Sequence, residues 1–531
     1  MITTLITELT AAEYLDRIRS VPVYDVAINS PLEPAPVISA KIHNQVFIKR
    51  EDLQPVFSFK LRGAYAAMSR LTEAQRQRGV IAASAGNHAQ GVALSAQKLG
   101  CDATIVVPVT TPEVKQRAIL ALGAELIRFG DSYDEAYAHA RLLAEKRDLV
   151  FIHPYDDPDV IAGQGTIGIE LHDQLPVDCQ AVFVPIGGGG LISGVALALK
   201  QLRPGIKIIG VEPEDADSAY LSLNAGHPIR LEKIGFFADG VAVRQVGEET
   251  FRIIKDWVDE VIVVSNDAIC AAIKDVFEDR RAVLEPSGAL AIAGLKHYAE
   301  QNESKDAIFA AIATGANVNF DRLRHISERA ALGEHSEAIL AVKIPERPGS
   351  FRRLCEILGD RSITEFNYRM RESFNETLSQ KGEPVGVEKT NLPLLATIFV
   401  GFNIKTAFEV DQILADLTTN QFEAYDLSAN ELAKTHLRHM VGGRSSAATD
   451  ERLFHFDFPE RPGALSQFLN QLGQTWNISL FHYRNHGSDK GRVLCGIQVP
   501  PTTSNQFAQF LTNLGYDNTE ETDNIALRLF L

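Results

Sequence analysis

Four short stretches of this chain hold residues that could do chemistry. Ser58-Phe59-Lys60-Leu61-Arg62-Gly63 sets a lysine among the apolar neighbours Phe57, Phe59 and Leu61. Desolvation lowers an amine's pKa, and a neutral lysine amine can form a Schiff base with a carbonyl. Ser84-Ala85-Gly86-Asn87-His88 is a small polar turn between an apolar strand and a helical stretch ended by Gly100, a setting suited to an anion such as a carboxylate. Gly187-Gly188-Gly189-Gly190 falls between the apolar run 181–184 and a helix from Leu191. Amides freed of side chains wrap a phosphate in such a place, and the helix dipole adds attraction. Thr314-Gly315-Ala316-Asn317 follows another strand, at the end where open sheets bind ligands. Glu285-Pro286-Ser287-Gly288 reads as a helix start.

Each stretch alone has an ordinary reading: a solvated lysine, a helix cap, a tight turn. The four adjacent glycines resist it most, because they are costly in chain entropy unless something needs the bare backbone. Their spacing is neither the GxGxxG fingerprint nor a loop followed by GK[ST], which weakens dinucleotide and nucleotide readings.

The elements that must position these residues alternate. Strands are expected at 80–83, 103–107, 125–129, 181–184, 206–211 and 308–312, with helix-period segments between them, such as 113–122 closed by Gly123. Alternation of this kind implies parallel sheets covered on both faces, an α/β architecture. The uncharged run 181–199 approaches the length of a membrane span, but Pro185 and the glycines break it into strand, loop and helix. No membrane association is expected.

At 531 residues the chain must be modular. A net charge of −16 argues against general binding to nucleic acid or anionic lipid and favours a small-molecule partner. The five widely spaced cysteines suggest neither a disulfide framework nor a metal site, so a reducing cytoplasm and no metal are expected. The N-terminal stretch lacks the pattern of an export signal.

Past a charged stretch at 325–337 the chain repeats itself. Pro345-Glu-Arg-Pro-Gly-Ser350 returns as Pro459-Glu-Arg-Pro-Gly-Ala464, and Glu365-Phe-Asn-Tyr-Arg369 returns as Leu480-Phe-His-Tyr-Arg484. The first copy is longer by roughly two dozen residues, placed at 371–393 as a polar surface loop. Each copy reads strand, helix, two strands, helix, strand, a ferredoxin-like βαββαβ order, and 442–448 is the expected link. Three domains result: 1–325, 338–440 and 452–531.

Together the Lys60, Ser84–His88, glycine-loop and Thr314 motifs resemble the tryptophan-synthase-like, fold-type II family of pyridoxal-phosphate enzymes. The paired PERPG repeats resemble, within it, the biosynthetic threonine deaminases with ACT-like regulatory domains. Serine racemase, threonine synthase and cysteine synthase share the catalytic chemistry but are not expected to carry the paired module. A catalytically silent amino-acid sensor is the rival from another class. The resemblance implies pyridoxal 5'-phosphate bound to Lys60, with Asn87 at its ring hydroxyl, Gly187, Gly188, Gly189, Gly190 and Leu191 at its phosphate, and Thr314 facing its pyridine nitrogen. It implies a substrate carboxylate held by Ser84, Gly86, Asn87 and His88, with Lys60 and Ser84 catalytic. The implied reaction turns threonine into 2-oxobutanoate and ammonia, ahead of isoleucine synthesis. Inhibition by isoleucine, opposition by valine, effector contacts at Tyr368 and Tyr483, and a homotetramer are implied as well.

Overall fold

The computed structural model describes residues 9–345, 350–359, 361–368, 395–406, 408–439, 448–459, 464–472, 475–484 and 490–530. The chain divides into two units, the first running through Gly333 and the second made of most residues from Glu334 onward.

In the first unit the strands are β1 (Leu32–Pro34), β2 (Gln45–Arg50), β3 (Val80–Ala83), β4 (Ala103–Val107), β5 (Glu125–Arg128), β6 (Val150–Phe151), β7 (Ala181–Pro185), β8 (Lys207–Pro213), β9 (Glu260–Val264) and β10 (Ile308–Ala313). All six expected strands are present, their ends shifted by at most two residues. They form two sheets: a large one in the order β1-β2-β10-β7-β8-β9, and a small one in the order β5-β4-β3-β6. Every pairing is parallel except β1 with β2. β3, β4, β7 and β10 are buried along their whole length, as strands covered on both faces must be. Among the described residues no helix is long and apolar enough to cross a membrane. The run 181–199 is β7, the glycine loop and most of helix Gly190–Leu202.

The helix Lys60–Ser69 is wedged between helices Asn87–Leu99 and Pro158–Gln174. Backbone approaches closely on both sides: a Cβ on Gly91 would lie 3.0 Å from Leu61 Cα, and one on Gly163 would lie 2.5 Å from the Arg62 carbonyl oxygen. The charged stretch expected as a connector is largely a helix, Arg322–Gly333, belonging to the first unit.

In the second unit, β11 (Glu337–Pro345), helix Ser350–Leu358, β12 (Ile363–Tyr368), β13 (Leu395–Asn403), helix Phe408–Thr419 and β14 (Glu423–Asp426) make one sheet in the order β12-β13-β11-β14. β15 (Glu451–Pro459), helix Ala464–Leu472, β16 (Asn477–Arg484), β17 (Lys490–Gln498), helix Ser504–Leu514 and β18 (Asp517–Glu520) repeat it as β16-β17-β15-β18. Both copies have the expected βαββαβ order. Residues 346–349, 371–393, 441–447 and 460–463 lie outside the described residues, and with them most of each PERPG turn, the insertion and nearly all of the link. Tyr368 and Tyr483 belong to β12 and β16, but their side chains also lie outside the described set.

The two copies exchange their tails. Helix Glu431–Thr435, which follows the first sheet, sends Glu431 to Arg492 of β17 at 3.0 Å, and just beyond it His436 meets His482 of β16 with their Nδ1 atoms 2.8 Å apart. In return helix Ile525–Phe530 lays Phe530 against Phe399 of β13, ring centroids 5.6 Å apart. Asn430 and Asn524, at corresponding points before the two tail helices, bond to each other at 3.2 Å.

Candidate functional site

Lys60, the glycine loop, the Ser84–His88 turn and Thr314 all converge at the C-terminal ends of parallel strands. β3 ends in Ser84, β7 in the glycine loop and β10 in Thr314, the strand ends at which open α/β sheets bind ligands. The Ser58–Gly315 bridge, with the Phe59 amide donating to the Thr314 carbonyl at 3.3 Å, ties the lysine segment to the end of β10. Phe57 beside it holds a left-handed φ of 55°, rare for a bulky side chain, while its carbonyl accepts from the Ala316 amide at 2.9 Å.

Two adjoining cavities result. A narrow slot is lined by Lys60, Asn87, Gly187–Leu191, Glu285, Ser287 and Thr314. A chamber near 140 Å³ is lined by Lys60, Ser84, Gly86, Asn87, His88 and Glu285 among others. A roomier hollow of about 720 Å³ near Cys179 and Arg203 includes Gln180 and Ala181 at the start of β7, the opposite end from the converging motifs. The slot and chamber are therefore the candidate site.

Among the described residues Lys60 makes no salt bridge, and its pKa is lowered to about 8, by burial first, with Glu285 opposing. Glu285 is pushed up to about 7, by burial and by Asp239, while its bond from Asn87 Nδ2 at 2.6 Å works the other way. Asn87 Oδ1 accepts from Asn317 at 2.7 Å, so the Asn87 amide is fixed and keeps one N–H for a ligand. Thr314 Oγ1 donates to the Ser287 carbonyl at 3.0 Å, leaving its oxygen as an acceptor toward the slot. His88 is buried, with a pKa lowered to about 3 by burial and then by Lys60. Its Nε2 lies 3.1 Å from the Ile152 carbonyl, which requires the proton on that nitrogen. The remaining Nδ1 has no proton for a carboxylate. His88 thus shapes the chamber, and the Ser84 hydroxyl and the amides opening helix Asn87–Leu99 are the better carboxylate donors.

The glycine loop fits a phosphate. Helix Gly190–Leu202 has no side-chain cap, so its first amides need partners from elsewhere, and Gly189 reaches the turn only with φ of 95°. A Cβ on Gly188 would lie 2.1 Å from the Tyr155 ring, and one on Gly187 would lie 2.9 Å from Val241 Cα. A phosphate at the helix start, a ring beside Lys60 and Asn87, and a ring nitrogen to which the Thr314 hydroxyl could turn its proton from Ser287 would match the donors and acceptors of pyridoxal phosphate.

A buried charge network anchors the lysine helix. Arg62 Nε and Nη2 donate to Glu51 at 2.8 Å each, Nη1 to Glu170 at 2.6 Å and Thr166 at 3.0 Å, and Nη2 also to the Ile28 carbonyl at 3.0 Å. Lys49 holds the other Glu170 oxygen at 2.5 Å. Two cations and two anions are thereby balanced, all at most 1% exposed.

Sequence reasoning passed over Glu285, Tyr155, Asp239 and Lys115, all of which line the chamber. For Glu285 a signal existed: glutamate is not a favoured N-cap, yet it occupies that position before helix Pro286–Gln301. Tyr155 and Asp239 come from loops with no marked pattern, and Lys115 lies on the expected helix 113–122, whose period gives no sign that one of its lysines lines a chamber.

The fold and this cavity define a pyridoxal-phosphate-dependent enzyme. The family described as "Pyridoxal-phosphate dependent enzyme" matches residues 23–315, and "C-terminal regulatory domain of Threonine dehydratase" matches 328–378 and 442–531. Over 522 residues the chain is 52% identical to the L-threonine dehydratase biosynthetic of Burkholderia multivorans, covering 98% of this chain and 99% of that protein. Over 521 residues it is 49% identical to the Escherichia coli protein of the same description, covering 98% and 97%. The solved processed form of threonine deaminase isoform 2 from Solanum lycopersicum matches with a TM-score of 0.59 at 53% identity, over 60% of this chain and 93% of that one. The chain belongs to the biosynthetic threonine dehydratases and depends on pyridoxal phosphate.

Proposed function

We propose that this protein deaminates L-threonine to 2-oxobutanoate and ammonia, the entry to isoleucine synthesis, and that its second unit senses isoleucine and valine. The observation that carries the catalytic reading is the low-pKa Lys60 amine facing an uncapped helix start across one slot.

Pyridoxal phosphate supplies the electron sink that acidifies the substrate α-carbon. The chain's residues do the rest. Lys60 would hold the cofactor, and its Nζ, as a free amine, is the group placed to accept the α-proton. Its pKa near 8 leaves an appreciable free-amine fraction at neutral pH. Ser84 and the amides following Gly86 orient the substrate carboxylate. Asn87, pinned by Glu285 and Asn317, would position the cofactor ring, and Gly187–Leu191 would hold the phosphate through backbone amides. Threonine loses its α-hydrogen and β-hydroxyl together as water, and the released enamine tautomerises to an imine that takes up water to give the oxoacid and ammonium.

The regulatory reading is supported by the paired sheets and their exchanged tails, which join the two copies into one body. Residues 1–325 are assigned to catalysis, 338–440 and 452–531 to the two sensing copies, and the assembly to a homotetramer. A cytoplasmic location agrees with the five unpaired cysteines. The test is oxoacid release from threonine and from serine by the full-length protein, with and without millimolar isoleucine or valine. Threonine turnover that isoleucine depresses and valine restores is expected. No oxoacid from either substrate would remove the catalytic proposal, and kinetics indifferent to both effectors would remove the sensing one.

A further inference from the structure

Arg322 opens helix Arg322–Gly333, the last element of the first unit, from which the chain runs directly into β11. It is 5% exposed and faces inward, and its guanidinium gathers three acceptors from one segment. Nη2 donates to the Phe236 carbonyl at 3.1 Å and the Phe237 carbonyl at 2.6 Å, and Nη1 to Asp239 Oδ1 at 3.2 Å. The same guanidinium lies over the Phe237 ring, 5.6 Å from its centroid. Asp239 turns its other oxygen to Lys115 Nζ at 2.6 Å, and Lys115 belongs to helix Glu113–Ala121, between the small-sheet strands β4 and β5. Phe236, Asp239 and Lys115 all line the chamber. The segment that Arg322 organises is thus the large-sheet wall of the site, and Lys115 is its tie to the small-sheet wall. Burial alone would raise the Asp239 carboxyl, yet Lys115 and Arg322 together hold it down at about 2, so the tie stays charged across the working pH range. Farther along the helix Arg329 pairs with Asp267, fixing the helix to helix Asn266–Arg280.

We propose that Arg322 is a positioning residue for the reaction: through Asp239 and Lys115 it sets the separation of the two walls around the substrate. Because the chain passes from the end of its helix at Gly333 into the second unit, it is also the point at which effector occupancy reaches the site. The second statement rests on the sensing reading given above. A guanidinium is required, since only its planar fork reaches two carbonyls and a carboxylate at once. Its loss leaves Asp239 with Lys115 but frees the 236–239 segment, so ground-state binding of substrate should suffer more than the chemical step.

The test uses the cofactor-loaded full-length protein and the variants Arg322→Met, Arg322→Lys and Arg324→Ala. Arg324 is an exposed neighbour in the same helix whose partner is Glu328, so it controls for general effects on the helix. Three quantities are measured: amide hydrogen exchange across 113–121, KM and kcat for threonine, and isoleucine binding by dialysis beside isoleucine inhibition. For Arg322→Met we expect exchange at 113–121 to quicken about tenfold or more, the KM to rise about tenfold, and kcat to stay within about threefold. Isoleucine should bind with unchanged affinity and no longer inhibit. Arg322→Lys should lie between Met and wild type, and it carries the same test if the Met variant does not fold. Unchanged exchange at 113–121, or equal losses in kcat and kcat/KM with exchange raised throughout the unit, overturns the positioning role. Intact inhibition in Arg322→Met overturns the coupling role. If the wild-type protein binds neither isoleucine nor valine, the sensing reading fails by itself, while exchange and the KM still decide the positioning role.

Discussion

Replacing Arg62 by Met would leave the lysine helix in place but unbalance the charges beneath it. Glu51 and Glu170 would then face Lys49 alone, one cation against two anions, all at most 1% exposed. A buried uncompensated carboxylate takes up a proton instead of remaining charged. From an ordinary pKa near ~4.3, holding one glutamate protonated at pH 7 costs about 3.7 kcal/mol. The lost bonds to Thr166 and to the Ile28 carbonyl add about 1 kcal/mol each. The sum, about 5 to 6 kcal/mol, corresponds to a fall of roughly 8 °C in the Tm of a unit this size. In the variant the carboxylate's folded pKa lies above its unfolded value. Its stability is therefore whole below about pH 4 and is lost as pH rises toward the folded pKa. At pH 5 the protonation cost shrinks to about 1 kcal/mol, and the gap to wild type should narrow to roughly 4 or 5 °C. Scanning calorimetry of both full-length proteins at pH 5 and pH 7 measures this. A fall below about 2 °C at pH 7, or a gap that does not narrow at pH 5, would show that Arg62 does not balance these carboxylates.

Lys60→Ala should reduce oxoacid release from threonine to below about a thousandth of wild type in folded protein, since the holding amine and the proton acceptor vanish together. Gly189→Asp puts a side chain at a φ of 95° and a negative charge at the helix start; equilibrium titration should show cofactor affinity reduced at least about a hundredfold. In protein stripped of cofactor, the rate of pyridoxal-phosphate uptake should rise with pH through an inflection near about 8, where Lys60 becomes a free amine; an inflection near ~10.4 would mean Lys60 is not desolvated. Tyr368→Ala and Tyr483→Ala should each raise the isoleucine concentration for half-inhibition several-fold, and unchanged inhibition in both would exclude these residues from the effector sites.

Much of the catalytic unit was legible because its strands are short, continuous apolar runs punctuated by glycine turns, the signature of parallel sheets buried on both faces. Val80–Ala83 and Ala103–Val107 fall on the expected residues. β2 is absent from the expected set for a physical reason. It carries Lys49 and Arg50 inside the core, where Glu170 and Asp52 neutralise them, and no hydropathy pattern reveals a buried charge paired, as Lys49 is, by a residue on a helix far along the chain. β9 is absent without such an excuse, since Val261–Val264 reads as apolar as its neighbours. At the site, backbone-bearing motifs were visible because glycine and helix-start chemistry are local. The carboxylates Glu285 and Asp239 owe their place to burial and to partners more than a hundred residues away, such as Asn87 and Lys115.

The regulatory repeat illustrates the same limit at the scale of domains. Two near-copies of a βαββαβ pattern imply two similar sheets, and two sheets are present. Sequence periodicity alone implies two independent bodies just as readily. The exchanged tails decide otherwise: the fully buried His436 follows the first copy's tail helix yet contacts His482 of the second, while Phe530 from the second copy covers Phe399 of the first. Separating the copies would strip both contacts and expose Phe399, which is 1% accessible in the pair. A fully buried phenylalanine is worth about 1.5 to 3 kcal/mol on exposure, and a buried polar ring must find a new partner. Neither copy is then expected to move without the other. On the sensing reading proposed above, an effector bound to either sheet would perturb a single body, and that body continues the chain from helix Arg322–Gly333, whose first residue holds the wall of the catalytic chamber.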